Sequence, residues 1–194
     1  MQAYMKIKRK NLNIADWVTV SRFVLIPVLL FLIFREERNG IGWVLLAGFS
    51  TDALDGFLAR GLKKTTENGA RPDTIADMVF LICGLFGFYR IFQDFVMARL
   101  WIVIAVISLF TVQYFLSLLR YGKASSFHTY LAKITAIALA AFLVTAFLIK
   151  PFPWLYYFAF GIAILEAVEE IILVCLLPAW QTNVKGAFWA RTKK

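Results

Sequence analysis

The chain has 194 residues, 61% of them hydrophobic and 17% charged, with a formal net charge of +9. A soluble domain averages about 45–50% apolar residues, so this composition excludes an ordinary water-shielded core and points to lipid as the solvent. Two cysteines without CxxC spacing exclude a disulfide framework and a zinc site. The basic residues fall between apolar stretches, which points to anionic lipid headgroups and no nucleic-acid partner.

A bilayer-spanning helix needs roughly 20 predominantly apolar residues, so the expectation is an all-α fold: a six-transmembrane-helix bundle with an N-terminal amphipathic interfacial helix. It forms a single domain, 1–194, divided into the interfacial helix (1–16), six spans (17–177) and a basic tail (178–194). Lys6, Lys8, Arg9 and Lys10 alternate with Ile7, Leu12 and Ile14, with Trp17 expected at headgroup level. No cleaved signal peptide is expected, because the first apolar run leads straight into further membrane sequence.

The first span is expected from about Trp17 to Phe34, with a kink at Pro27. Arg35–Gly40 is a polar turn. The second span starts near Ile41 and carries Asp52, Asp55 and Arg60; the third covers about Pro72–Phe92, with Pro72 in the first helical turn. The fourth runs over about Leu100–Leu119, the fifth over Tyr130–Ile149 and the sixth over Phe152–Leu177. Lys6, Lys8, Arg9, Lys10, Arg22, Arg60, Lys63, Lys64, Arg71, Arg120, Lys123, Lys133, Lys185, Arg191, Lys193 and Lys194 then share one side, against Arg35, Arg38, Arg90, Arg99 and Lys150 on the other. The positive-inside rule puts both termini, and the aspartate-bearing ends, in the cytoplasm. The expected location is the cell membrane, as a multi-pass protein with its site facing the cytoplasm.

Ionisable groups within membrane helices are costly and mark function by default. Asp52 and Asp55 are three residues apart, and Asp73 and Asp77 four apart, so each pair shares one helix face. Four carboxylates in one half-buried pocket need cations to stay ionised. An all-oxygen ligand set points to two divalent ions, Mg²⁺ or Mn²⁺, able to clamp a diphosphate. Gly56 and Gly69 permit close approach of a ligand, and Arg60 offers positive charge to an entering phosphate.

The run Asp52-Ala-Leu-Asp55-Gly56-Phe-Leu-Ala59-Arg60, eight further residues, then Gly69-Ala-Arg-Pro-Asp73-Thr-Ile-Ala-Asp77 resembles the signature of the CDP-alcohol phosphotransferase family, D-x2-D-G-x2-A-R-x8-G-x3-D-x3-D. Every fixed position matches over 26 residues. The resemblance implies that Asp52, Asp55, Asp73 and Asp77 hold the two metal ions on the donor diphosphate. It further implies that Asp77 takes the proton of the acceptor hydroxyl, and that Gly56, Ala59, Arg60, Gly69 and Thr66 join Asp52 and Asp55 around the CDP donor. The donor expected is CDP-diacylglycerol, the partner a small polar alcohol, the surroundings membrane lipids and the assembly a homodimer.

Gln113–Ala136 is similar, at Leu119-Arg120 and Lys133-Ile134, to the acceptor region of phosphatidylglycerophosphate synthases. Val112, Gln113 and Tyr114 stand where those enzymes carry charged residues. Arg120 and Lys133 are therefore the candidate acceptor-binding residues. The expected acceptor is glycerol 3-phosphate or another phosphorylated polyol, with an unphosphorylated alcohol such as serine still open. The competing reading of the aspartates is a cation or proton-coupled transporter, whose site would lie nearer the bilayer midplane. His128 reads as a surface histidine, and Glu166, Glu169 and Glu170 as an interfacial acidic patch paired with basic residues or lining the site's rim.

Overall fold

A computed structural model describes residues 14–62, 70–123, 129–180, 184 and 186, and for 14–23, 52–62 and 70–75 it describes the helical path alone. The described residues form α1 (Ile14–Phe34), α2 (Arg38–Leu62), α3 (Ala70–Ile91), α4 (Gln93–Met97), α5 (Leu100–Tyr121), α6 (Tyr130–Leu148) and α7 (Pro153–Leu176). No strand occurs among them. The six long helices coincide with the six expected stretches; the five-residue α4 is an addition, a single turn between α3 and α5. The segment expected as an interfacial helix lies largely outside the described residues, as do the 124–128 loop with His128 and most of the basic tail.

Each helix starts and stops where its local chemistry dictates. Pro27 stands inside α1, which continues through it to Phe34. Glu36, at φ 56°, turns the chain between α1 and α2. α5 ends at Gly122, whose φ of 66° is a left-handed cap conformation that glycine adopts without a Cβ penalty. Thr129 caps α6 by accepting a hydrogen bond from the Ala132 N–H at 3.1 Å, which satisfies one orphan donor of the first turn. Pro153 opens α7, where its missing N–H is harmless.

α1 packs on both α2 and α3, α6 packs on α2 and α7, and α5 packs chiefly on α7. The core is apolar: Leu29, Ile33, Ile41, Leu45, Phe142, Leu143 and Phe147 are fully buried. At the end formed by the α1–α2 turn, α4 and the α6–α7 turn, rings interlock edge to face. Phe88 meets Phe142 at 4.9 Å, Phe142 meets Tyr156 at 5.5 Å and Phe95 meets Tyr156 at 5.4 Å between centroids. Arg38, opening α2, donates from Nε to Phe147 O (2.8 Å) and from Nη2 to Ala146 O (3.3 Å) and Ile149 O. It thereby occupies the carbonyls that the last turn of α6 leaves without helical partners.

Large apolar residues also face outward, among them Phe31, Trp43, Trp101, Ile104, Ile107, Phe115, Ile137 and Leu165. So much outward apolar surface suits lipid and not water. By length and composition α5 and α6 can each cross a bilayer, and α1 carries a shorter apolar stretch over Val24–Phe34. α5 and α6 each carry a single charge at one end, Arg120 and Lys133, while α2, α3 and α7 carry more: Arg38, Asp52, Asp55 and Arg60 on α2, Arg71, Asp73, Asp77 and Arg90 on α3, and three glutamates on α7.

Candidate active site

The end opposite the aromatic cluster gathers the C-terminal parts of α2, α5 and α7 and the N-terminal parts of α3 and α6. Asp52, Asp55, Gly56, Ala59 and Arg60 occupy the last three turns of α2, and Asp73 and Asp77 the first two turns of α3. At about 1.5 Å per residue, Asp55 and Asp77 each lie roughly 10 Å in from the end of their helix. Thr66 and Gly69 lie outside the described residues.

What holds α2 and α3 together lies one turn deeper than the aspartates. A Cβ built on Gly48 would stand 2.4 Å from Cζ of Phe80, so the ring fills the notch that glycine leaves. Phe80 is 2% exposed and also meets Phe49 edge to face at 5.5 Å. Gly48 is one turn before Asp52, and Phe80 one turn after Asp77. This contact therefore brings α2 and α3 close together within a turn of both aspartate pairs, while α1 packs against each helix. Sequence reasoning missed it; a glycine one turn before Asp52 was a partial signal that did not name its partner.

Asp77 is the signature aspartate whose side chain is described. It is half-buried, beside Ala76, which is almost fully buried. Among the described residues no group of three or more His, Cys, Asp or Glu is placed to hold a metal ion; the side chains of Asp52, Asp55 and Asp73 fall outside that set. The donor chemistry of the four positions is oxygen only, and they sit at one end of two touching helices. This fits a hard divalent cation and does not fit a soft one.

The candidate acceptor residues lie on different neighbours. Lys133 is exposed in the first turn of α6, its Nζ 5.5 Å from the Tyr130 ring, and α6 packs directly on α2. Arg120 is exposed in the last turn of α5, its guanidinium 5.8 Å from the Tyr121 ring. Its helix packs chiefly on α7, which in turn packs on α6, so Arg120 stands two helices further from the aspartates than Lys133. Lys123, just beyond α5, lies 5.3 Å over the Trp180 ring.

The α7 glutamates differ from an exposed acidic patch. Glu170 is 9% exposed and accepts a 2.7 Å hydrogen bond from Nε2 of Gln113, itself 5% exposed, inside the α5–α7 interface. Glu166 is half-buried and lies near the side chain of Thr135 on α6, with Glu169 nearby. These residues form a polar layer across α5, α6 and α7, at the same end of the bundle as the aspartates. Gln113, an amide within an otherwise apolar stretch, was its sequence signal.

A family model described as CDP-alcohol phosphatidyltransferase matches residues 12–176. Three similar proteins each carry the name CDP-diacylglycerol–glycerol-3-phosphate 3-phosphatidyltransferase. The one from Wigglesworthia glossinidia brevipalpis is 29% identical over 113 residues, covering 57% of this chain and 59% of its own length. That from Sodalis glossinidius is 32% identical over 124 residues, covering 60% and 65%. That from Yersinia enterocolitica is 38% identical over 78 residues, covering 39% and 43%. The chain thus spans less than two thirds of the length of these curated relatives. No solved structure matches.

Proposed function

From the premise that the chain belongs to the CDP-alcohol phosphatidyltransferase family, we propose that it transfers a phosphatidyl group from CDP-diacylglycerol to the hydroxyl of a small alcohol, releasing CMP. The observation that carries this reading is the complete aspartate signature on two helices that touch one turn below it. The acceptor that the relatives' names support is glycerol 3-phosphate. Family membership leaves the transporter reading without support.

In this mechanism Asp52, Asp55, Asp73 and Asp77 hold two divalent ions, Mg²⁺ or Mn²⁺. When bound, the ions neutralise the donor diphosphate and the charge that develops as it is cleaved. Gly56, Ala59, Gly69 and Thr66 line the cytidine end of the donor, and Arg60 supplies a charge-assisted contact to phosphate. Asp77 accepts the proton of the acceptor hydroxyl. The freed oxygen forms a bond to the phosphorus carrying the diacylglycerol, and the bond from that phosphorus to the bridging oxygen breaks. CMP leaves with that oxygen and its electron pair. Arg120 and Lys133 hold the phosphate of the acceptor.

The same reading makes the chain a six-span protein of the cell membrane, working as a homodimer, with its site and both termini on the cytoplasmic side. The orientation is supported by the distribution of Lys and Arg, the six spans by the six apolar stretches, and the homodimer by the family resemblance alone.

Purified protein in detergent with CDP-diacylglycerol, Mg²⁺ and a panel of alcohols tests the activity. CMP release with glycerol 3-phosphate, and a lipid product of the matching mass, is the expected result. EDTA should abolish the release and Mg²⁺ or Mn²⁺ restore it. No CMP release with any acceptor would overturn the transferase reading, and undiminished release in EDTA would overturn its metal dependence.

A further inference from the structure

We propose that Gln113 and Glu170 are positioning residues for the acceptor side of the site. Their buried hydrogen bond fixes the rotation and height of α5 on α7, and through α5 the placement of Arg120. The inference rests on the transferase reading above for the role of Arg120.

α5 leans chiefly on one neighbour, α7. Where lipid surrounds a helix pair, apolar side chains are about as well solvated by lipid tails as by each other, so apolar contact alone discriminates poorly between helix registers. Polar contacts do discriminate, because a helix that slides or rotates leaves donors and acceptors unmatched in a medium without water. Two such contacts stand between described residues of α5 and the α7 end. One is the 2.7 Å bond from Gln113 to Glu170, between residues 57 positions apart. The other is the Tyr121 hydroxyl, directed at the carbonyls of Val174 (3.0 Å) and Leu177 (2.7 Å) at the end of α7.

Gln113 and Tyr121 are eight residues apart, or about 12 Å along the helix, so together they fix both rotation and height. Arg120 lies between them, adjacent to Tyr121. Ser117, fully buried on the same helix, donates to the Lys123 carbonyl at 2.9 Å, which ties the start of the α5–α6 connection to that register. Buried polar pairs that set register are the best-attested use of such costly groups.

The test measures steady-state kinetics with CDP-diacylglycerol as donor and glycerol 3-phosphate as acceptor probe, together with thermal melting in detergent. Gln113→Leu and Glu170→Leu should each raise the acceptor KM about tenfold or more while leaving the donor KM in place, as expected for loss of a well-made contact. Glu170→Gln should keep the acceptor KM near its starting value, because its amide oxygen still accepts from Gln113. Gln113→Glu puts two carboxylates face to face and should impair the acceptor KM; adding Glu170→Gln reverses the pair and should restore it. An acceptor KM unchanged in both leucine variants, equal loss of donor and acceptor binding, or failure of the reversed pair to restore function would each overturn the proposal. If the starting protein releases no CMP with any acceptor, the transferase reading falls on its own, and melting then judges the pair. Non-additive losses in the Gln113→Leu and Glu170→Leu cycle support a register-setting bond, and additive losses overturn it.

Discussion

At the residue scale, the proposed mechanism divides the chemistry unequally among the four aspartates. Asp77 is half-buried against the core on α3, one turn beyond Asp73, and is the residue assigned the acceptor proton. Removing a general base typically costs about 10²–10⁴-fold, so Asp77→Asn should lower kcat by that factor with a smaller effect on donor KM. Asp52→Asn exchanges a carboxylate for an amide, a poorer ligand for a hard cation. It should raise the donor KM and the Mg²⁺ requirement together. Kinetics at several Mg²⁺ concentrations separate the two variants, and equal loss of donor affinity in both would deny Asp77 a separate role.

The acceptor residues belong to the same scale. A charge-assisted hydrogen bond to phosphate contributes about 1.5–3 kcal/mol. Arg120→Ala or Lys133→Ala should therefore raise the KM for glycerol 3-phosphate roughly 10- to 150-fold and leave the donor KM nearly unchanged. An unchanged acceptor KM in both variants would make them topology anchors and favour an unphosphorylated acceptor.

At the element scale, the α2–α3 pair depends on a missing side chain. Gly48→Ala would drive a methyl to 2.4 Å from the buried Phe80 ring, so the ring or the helix carrying it would have to shift. A misplacement of about 1 Å near a reacting centre can cost on the order of 10²-fold. Gly48→Ala should thus lower kcat by about that much, and Phe80→Leu in the same chain should recover most of it by making room. Failure of that second change to rescue activity would show that the spacing is set elsewhere.

The aspartate spacing was legible in the sequence because a short motif fixes it within two helices, and the helices themselves were legible from the length of each apolar run. The Gly48–Phe80 contact and the burial of Glu170 were not legible, since both depend on which faces meet across the bundle. One chain's hydropathy does not encode that pairing. The single turn of α4 was too short to rise above the pattern of its neighbours.

At the scale of the whole molecule the bundle is polarised. One end is an interlocked set of aromatic rings around Phe88, Phe142 and Tyr156, and the other holds carboxylates, amides and hydroxyls. The guanidinium that opens α2 also has a consequence for how the protein is made. Arg38 finds its carbonyl partners at Ala146, Phe147 and Ile149, up to 111 residues later in the chain. At a synthesis rate of about 5–20 residues per second, the cation must wait roughly 5–20 s after leaving the ribosome before those groups exist. Until then the early helices carry a charge with no place in the finished bundle, and final closure belongs to the arrival of α6. Nascent chains stalled shortly before Ala146 should therefore remain open to protease at the α1–α2 turn, whereas chains stalled well beyond Ile149 should be protected there.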